Sequence, residues 1–266
     1  MKKTILITGS SGQLGNSLSS YLFESFNIIS TSRTGKNKLL KLDITDKENV
    51  KDVLNIFNPD IIINCSAITD VDFCEKNHSL CRKVNTEGLY NLIKFSKKTI
   101  KIIQISTDYI FDGNNGPYSE DDSTHPLNFY GKSKLEAENI LIGSNKEYLI
   151  IRVNGLYSCD FDSTNFLSWL YMQLKNGKSV QIVDDQISNP CYIELLSNVI
   201  MKCIIMNANG IFNYGSSNFL SRYNFALEFC KIFRFSKELI LPTSTNKLDQ
   251  TAKRPLNTGL ITDKIE

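Results

Sequence analysis

Thr4-Ile5-Leu6-Ile7-Thr8-Gly9-Ser10-Ser11-Gly12-Gln13-Leu14-Gly15 decides the fold. A short β-branched and apolar run ends in three glycines, and an amphipathic pattern begins at Gln13. Glycines at the end of a strand let the backbone turn tightly and approach a pyrophosphate closely. The helix that follows offers unpaired N–H groups and the positive end of its dipole to the phosphates. The spacing is G-x-x-G-x-x-G rather than G-x-G-x-x-G, yet a plain turn would not need three glycines. Gly9, Gly12, Gln13, Leu14 and Gly15 are therefore candidates to cradle a dinucleotide.

Outward from this loop, short Ile-rich runs alternate with longer amphipathic stretches. Strands are predicted at Thr4–Thr8, Asn27–Ser30, Ile61–Asn64, Lys101–Ser106 and Tyr148–Arg152. Helices are predicted at Gln13–Ser25, Lys47–Asn55, Leu80–Lys97 and Lys132–Leu141. Thr45-Asp46-Lys47-Glu48 has the form of a capping box that would set one helix start. Such alternation implies an α/β chain: a Rossmann-type, doubly wound parallel sheet covered on both faces. Beyond residue 153 the rhythm loosens into helical pieces near Asn165–Lys175, Glu194–Met206 and Tyr223–Phe233. The expected division is a dinucleotide-binding domain over 1–153 and a smaller substrate lobe over 154–266, some of whose segments return to the first domain. Leu260–Glu266 looks like part of a helix, so a further C-terminal segment is expected.

Composition excludes several function classes. The 266 residues carry 30 basic and 28 acidic side chains without a long basic run, which argues against nucleic acid or a membrane surface as partner. No apolar run approaches 18 residues, and the one after Lys2-Lys3 is too short for a signal peptide, so a cytoplasmic protein is expected. Seven scattered cysteines without a C-x-x-C suit reduced core thiols, and two histidines do not suggest a metal centre.

Cofactor choice turns on the end of the second strand, where NAD-binding sites commonly hold an acid. Ser25 to Leu42 contains none, and Thr31-Ser32-Arg33 stands there instead. A guanidinium suits a 2′-phosphate, favouring NADPH with NADH as the alternative, although a solvated loop cation would look the same. Farther on, Tyr130 and Lys134 stand at i and i+4 of a predicted helix, on one face. A nearby ammonium lowers a phenol's pKa toward a useful range for proton transfer. The strand before them ends in Ser106-Thr107-Asp108, which brings hydroxyls to the ligand-binding edge of the sheet.

These words together resemble the extended short-chain dehydrogenase/reductases and, within them, the dTDP-4-dehydrorhamnose reductases. The similarity rests on Thr8–Gly15, Leu42–Asp46, Pro59–Asn64 with Thr69, Val71, Asp72 and Glu75, and Ser106–Gly113. It continues through Pro126–Lys134, Asp184-Asp185-Gln186 with Pro190, and Arg254–Asn257. The resemblance implies NADPH-dependent reduction of the 4-keto group of a nucleotide-activated 6-deoxysugar. Thr107, Tyr130 and Lys134 would be catalytic, with Tyr130 protonating the developing alkoxide. Ser32, Arg33, Asp43, Ile44, Cys65, Ser66 and Ala67 would join the glycine loop, Tyr130 and Lys134 around the cofactor. Substrate contacts would come from Thr69, Val71, Thr107, Asp108, Tyr109, Asn154 and Arg254, the last a surface cation on the alternative reading.

Two words depart from the family. Arg152-Val153-Asn154-Gly155-Leu156-Tyr157 has glycine where the family carries a tryptophan of the sugar pocket, and Cys65-Ser66-Ala67-Ile68 replaces an Ala-Ala-Ala-His stretch. Both leave the chemistry intact and alter the surroundings, so a reductase or epimerase/reductase acting on a GDP-, UDP- or CDP-linked sugar is an alternative. An alternative of another class is an NADP-binding regulatory subunit, like the β subunits of methionine adenosyltransferase. Trp169, the lone tryptophan, is expected in the core. A homodimer is left open.

Overall fold

The computed structural model describes residues 2–161 and 165–266. β1 (Thr4–Thr8) leads through the glycine loop into α1 (Gln13–Leu22). There follow β2 (Asn27–Ser32), β3 (Leu40–Lys41), α2 (Lys47–Phe57), β4 (Ile61–Asn64), α3 (Val71–Lys76), α4 (His78–Arg82) and α5 (Gly88–Phe95). β5 (Lys101–Thr107), α6 (Phe129–Ile142) and β6 (Glu147–Val153) close the first half. The second half holds α7 (Phe166–Lys175), β7 (Val180–Val183), β8 (Ile187–Ser188) and α8 (Ile193–Ile205). After it come β9 (Gly210–Tyr214), β10 (Leu220–Ser221), α9 (Arg222–Phe233) and β11 (Ile240–Thr243).

Seven strands form one parallel sheet in the order β3-β2-β1-β4-β5-β6-β9. Alternate residues of each strand point to opposite faces, so two cores arise from one sheet. On one face Ile5, Ile7, Ile63 and Ile103 pack against Leu14, Leu18 and Leu22 of α1 and Leu196 and Ile200 of α8. On the other, Leu6, Ile62, Ile102 and Ile150 meet Val53 of α2, Leu92 of α5 and Leu141 of α6. The strand order reverses between β1 and β4, the place where open α/β sheets receive ligands. A third core, with Leu170, Ile182, Phe229 and Ile240, stands apart and joins α7, α9 and the two-stranded pair β7–β11.

Several expected elements change on folding. The helix expected over Leu80–Lys97 is α4, a wider π-helical turn over Lys83–Glu87, and α5. That turn aims Asn85 at the Ile68 backbone and Ser133, and Thr86 at the Ser133 carbonyl. Asp46, rather than Thr45, caps α2, because the Thr45 hydroxyl is taken by the Asp43 carboxylate at 2.8 Å. Trp169 is exposed: α7 turns Leu167, Leu170 and Leu174 inward, and Trp169 lies outside that stripe. Leu260 is not helical; it forms a β-bridge with Tyr118. Cys74, Cys81, Cys191, Cys203 and Cys230 are buried, Cys65 is partly buried and Cys159 exposed. Among the described residues, no helix is long and apolar enough to cross a membrane.

An ion pair is buried where β5, β6 and α6 meet. Arg152 and Glu138 lie 2.9 Å apart, with side chains 4% and 1% exposed. Glu138 also accepts a short hydrogen bond from Ser106, while Arg152 donates to the Glu120 carbonyl at 3.0 Å and lies over the Phe111 ring. Removing one member strands the other charge in the interior, which costs about 3–5 kcal/mol. Arg152→Leu is therefore expected to lose about that much stability, seen in urea unfolding as a lower midpoint with an unchanged slope. A loss under about 1 kcal/mol would show that Glu138 finds another partner.

Candidate active site

The glycine loop is shaped by crowding. Gly9 has φ of +67°, and a Cβ there would sit 3.0 Å from the Cys65 backbone. A Cβ on Gly15 would come within 2.5 Å of the Gly9 carbonyl oxygen, so the first turn of α1 and the end of β1 touch directly. Gly12 caps α1 without a side chain, and the amides of Gln13 and Leu14 have no hydrogen-bond partner among the described residues. Unpaired amides at the N-terminus of a ten-residue helix suit an anionic group.

The loop lines a cavity of about 490 Å³. Cys65 and Ala67, after β4, line it beside Gly9, Gly12, Gln13, Leu14 and Gly15. Thr69, Val71, Asp108, Tyr109 and Asn154 line it too, together with Thr107, Tyr130 and Lys134. Asn128 caps α6 by accepting from the Gly131 amide at 2.9 Å, which starts the helix early and sets Tyr130 in its first turn. A Cβ on Gly131 would fall 2.1 Å from the Tyr109 carbonyl oxygen, so α6 approaches the end of β5 very closely.

Six expected residues lie outside this lining. The Ser32 hydroxyl accepts from the Gly35 amide, and Arg33 is exposed just past the end of β2. Ile44 is buried against Gly88, the Asp43 carboxylate serves Thr45, and the Ser66 amide bonds to Thr8 and Asn64. Arg254 is 3.0 Å from Asp72 and borders a separate depression with Asp185 and Lys253. Of these, Ser32 and Arg33 still belong to the same sheet edge as the glycine loop, since the Ser10 amide donates to the Thr31 carbonyl at 2.8 Å.

Electrostatics divide the central groups. The Tyr130 hydroxyl is within hydrogen-bond reach of Thr107, but burial dominates and pushes the phenol well above its ordinary pKa. Lys134 donates to the Ile105 carbonyl at 2.5 Å, and burial lowers its ammonium to about 8, with the Glu138 charge opposing that shift. Asp108 is raised to about 6, chiefly by burial, while Thr258, Thr107 and Arg222 stabilise its charged form. An oxyanion formed near Tyr130 would thus meet a protonated phenol, a hydroxyl and an ammonium in a sheltered place.

Residues not foreseen from sequence complete the cavity. Arg222, first residue of α9, hydrogen-bonds Tyr109, lies over the Phe166 ring at 5.6 Å, and forms no ion pair among the described residues. Tyr157, Phe166 and Phe225 form an aromatic wall, with Tyr157 and Phe225 edge to face at 5.2 Å. Nothing in the spacing of Leu220-Ser221-Arg222 marks a ligand. Thr258 stands one residue past Arg254–Asn257, where no chemical spacing marks it.

The sequence matches the model of the RmlD substrate binding domain family over residues 1–266. The chain belongs to that family. Within the RmlD family it is similar to the dTDP-4-dehydrorhamnose reductase of Aggregatibacter actinomycetemcomitans, at 32% identity over 98% of this chain and 92% of the relative. It is also similar to the methionine adenosyltransferase 2 subunit beta of Danio rerio, at 26% identity over 99% and 84%. Among solved structures, the dTDP-4-dehydrorhamnose reductase of Bacillus anthracis in complex with NADP superposes with a TM-score of 0.92. Its identity is 30%, with 99% of this chain and 92% of that one covered.

The buried Asp108 yields a test independent of ligand. Thr258 donates to Asp108 Oδ2 at 2.5 Å and so favours the carboxylate. Removing that donor must raise the pKa further. In Thr258→Val, carboxyl NMR is expected to show Asp108 titrating above its value of about 6; a midpoint at or below 6 would contradict the assignment.

Proposed function

We propose that this protein is an NADPH-dependent dTDP-4-dehydrorhamnose reductase of cytoplasmic deoxysugar biosynthesis, with residues 154–266 supplying most of the substrate lobe. The observation that carries this reading is the convergence of Thr107, Tyr130 and Lys134 on the cavity that begins at the glycine loop. At Gly9 and Gly15 a side chain would collide with neighbouring backbone, so the glycines let the end of β1 and the first turn of α1 close up, and the amides of Gln13 and Leu14 suit a pyrophosphate. NADPH, when bound, would supply the hydride delivered to the sugar C4.

The chain's own residues do the rest. Burial keeps Tyr130 protonated at neutral pH, so it is an acid ready to give its proton to the oxygen that gains charge. Thr107 hydrogen-bonds the same oxygen. Lys134, held by the Ile105 carbonyl, adds positive charge and pulls the phenol's proton affinity down as charge develops. Arg222 is the better candidate than Arg254 for the sugar nucleotide's diphosphate. It faces the cavity and forms no ion pair among the described residues, whereas Arg254 is engaged by Asp72.

The likeness to methionine adenosyltransferase subunit beta supports a second reading, a cofactor-binding regulatory protein. The intact set of hydroxyl, phenol and ammonium favours the enzyme. NADPH oxidation in the presence of dTDP-4-dehydrorhamnose separates the two. Turnover is expected, with kcat lowered about 10²–10⁴-fold in Tyr130→Phe and NADPH binding unchanged. Tight binding without turnover in the wild type would favour the regulatory role.

Two further substitutions probe the anion contacts. Arg222→Leu is expected to raise KM about tenfold or more, the loss of one charge-assisted contact, while Arg254→Leu changes KM little. Equal effects would reverse the assignment. The wild type is expected to prefer NADPH to NADH and Arg33→Ala to lose that preference; equal wild-type affinities would sink the 2′-phosphate role.

A further inference from the structure

A single side-chain bond ties α7 to the glycine loop. Asn165, the N-cap of α7, donates from Nδ2 to Gln13 Oε1 at 3.0 Å. Gln13 is the first residue of α1, and both residues line the same cavity. Their helices belong to different cores: α1 packs on the seven-stranded sheet, whereas α7 packs with α9 and the β7–β11 pair. Chemistry fixes the direction of this bond. The Ser168 backbone amide, which can only donate, lies 2.8 Å from Asn165 Oδ1. The Asn165 oxygen therefore serves the helix cap, and its NH2 group faces Gln13. Gln13 must present its own oxygen there, which leaves its Nε2 group without a hydrogen-bond partner among the described residues. That group joins the unpaired backbone amides of Gln13 and Leu14 at the start of α1.

We propose that Asn165 is a positioning residue for the cofactor pyrophosphate, holding the Gln13 side chain so that its N–H donors stay free for the phosphates. This rests on the reading of the glycine loop as the dinucleotide site. Asn165 acts through Gln13 and is not itself assigned a contact with the cofactor.

A glutamine side chain left to itself spreads over several rotamers and offers either end of its amide to an anion. The oxygen end repels a phosphate. Fastening that oxygen to Asn165 removes the wrong end and part of the rotamer freedom before the cofactor arrives, and preorganised donors bind more tightly for that reason. An amide N–H given to a phosphate makes a charge-assisted bond, stronger than one between neutral groups. The competing account is that Asn165 only caps α7, through Ser168.

Equilibrium titration of the full chain with NADPH and with NADH, followed by nucleotide fluorescence, separates the two. Asn165→Ser keeps a capping oxygen for Ser168 but is too short to reach Gln13. Its urea midpoint is expected to match wild type, while its dissociation constants for both nucleotides rise about fivefold. The factor is shared because both nucleotides carry the pyrophosphate. A rise for NADPH alone would place the effect at the 2′-phosphate and overturn the proposal. Gln13→Leu is expected to weaken both nucleotides at least as much, and adding Asn165→Ser to it to change affinity by less than about twofold. Fully additive effects, or an Asn165→Ser protein that binds as tightly as wild type, would refute the role. Should Asn165→Ser not fold, Gln13→Leu decides alone: unchanged affinity leaves Asn165 nothing to position. A wild type that binds neither nucleotide would instead remove the dinucleotide reading, and the proposal with it.

Discussion

The buried pair of Arg152 and Glu138 is the constraint on which the active end of the molecule depends. Two charges removed from water are tolerable only when each finds several polar partners, and both do. Glu138 lies one helical turn beyond Lys134 and two beyond Tyr130, so one face of α6 presents all three toward β5. Anchoring Glu138 to Arg152 of β6 and Ser106 of β5 fixes the rotation of that helix. Tyr130 and Lys134 then have little freedom to turn away from Thr107. The same guanidinium reaches the Glu120 carbonyl, and Glu120 accepts from the Asn213 amide of β9, so the loop beyond Phe111 and the outermost strand share the anchor.

A second buried polar chain runs across the sheet at the ligand-binding edge. Thr8 of β1 donates to Asn64 of β4 at 2.6 Å, Asn64 donates to Gln104 of β5 at 2.8 Å, and Gln104 donates to the Ile105 carbonyl. That carbonyl is also the one that accepts from Lys134. Polar groups so deeply buried are costly unless each is satisfied, and here they are satisfied by one another. The glycine-loop end of β1 and Lys134 are thereby held by one continuous set of bonds across β1, β4 and β5. Geometry at the scale of a few tenths of an ångström is what catalysis by positioning requires.

The first half of the fold was legible because each element is long, periodic and bounded by local chemistry. Ile-rich strands covered on both faces and the glycine loop leave little room for another arrangement. The lobe was not, because its strands are two to five residues long and pair out of sequence: β10 with β8, β11 with β7, and β9 back onto β6. Such pairings are set by tertiary contact rather than by any pattern along the chain. The site divides in the same way. Thr107, Tyr130 and Lys134 carry a spacing with a chemical reason, so they could be named from sequence. Arg222 carries none, and a single arginine after a serine looks like any surface cation.

The two arginines differ in what already surrounds their charge. Arg254 has the neighbouring word and the right side chain, yet Asp72 at 3.0 Å already satisfies it. An anion arriving there would have to displace a carboxylate and leave it unpaired. Arg222 faces the cavity over an aromatic ring and forms no ion pair among the described residues, so a phosphate there would not have to break one. The same reasoning bears on Gly155. Its φ of +41° is strained for any other residue, and a Cβ there would meet only ordinary contacts with Pro190. Backbone conformation disfavours any side chain at this point, a tryptophan included. Tyr157, Phe166 and Phe225 line the cavity on its other side. The pocket keeps an aromatic surface but takes it from α7, α9 and the turn after β6, beside the cation on Arg222.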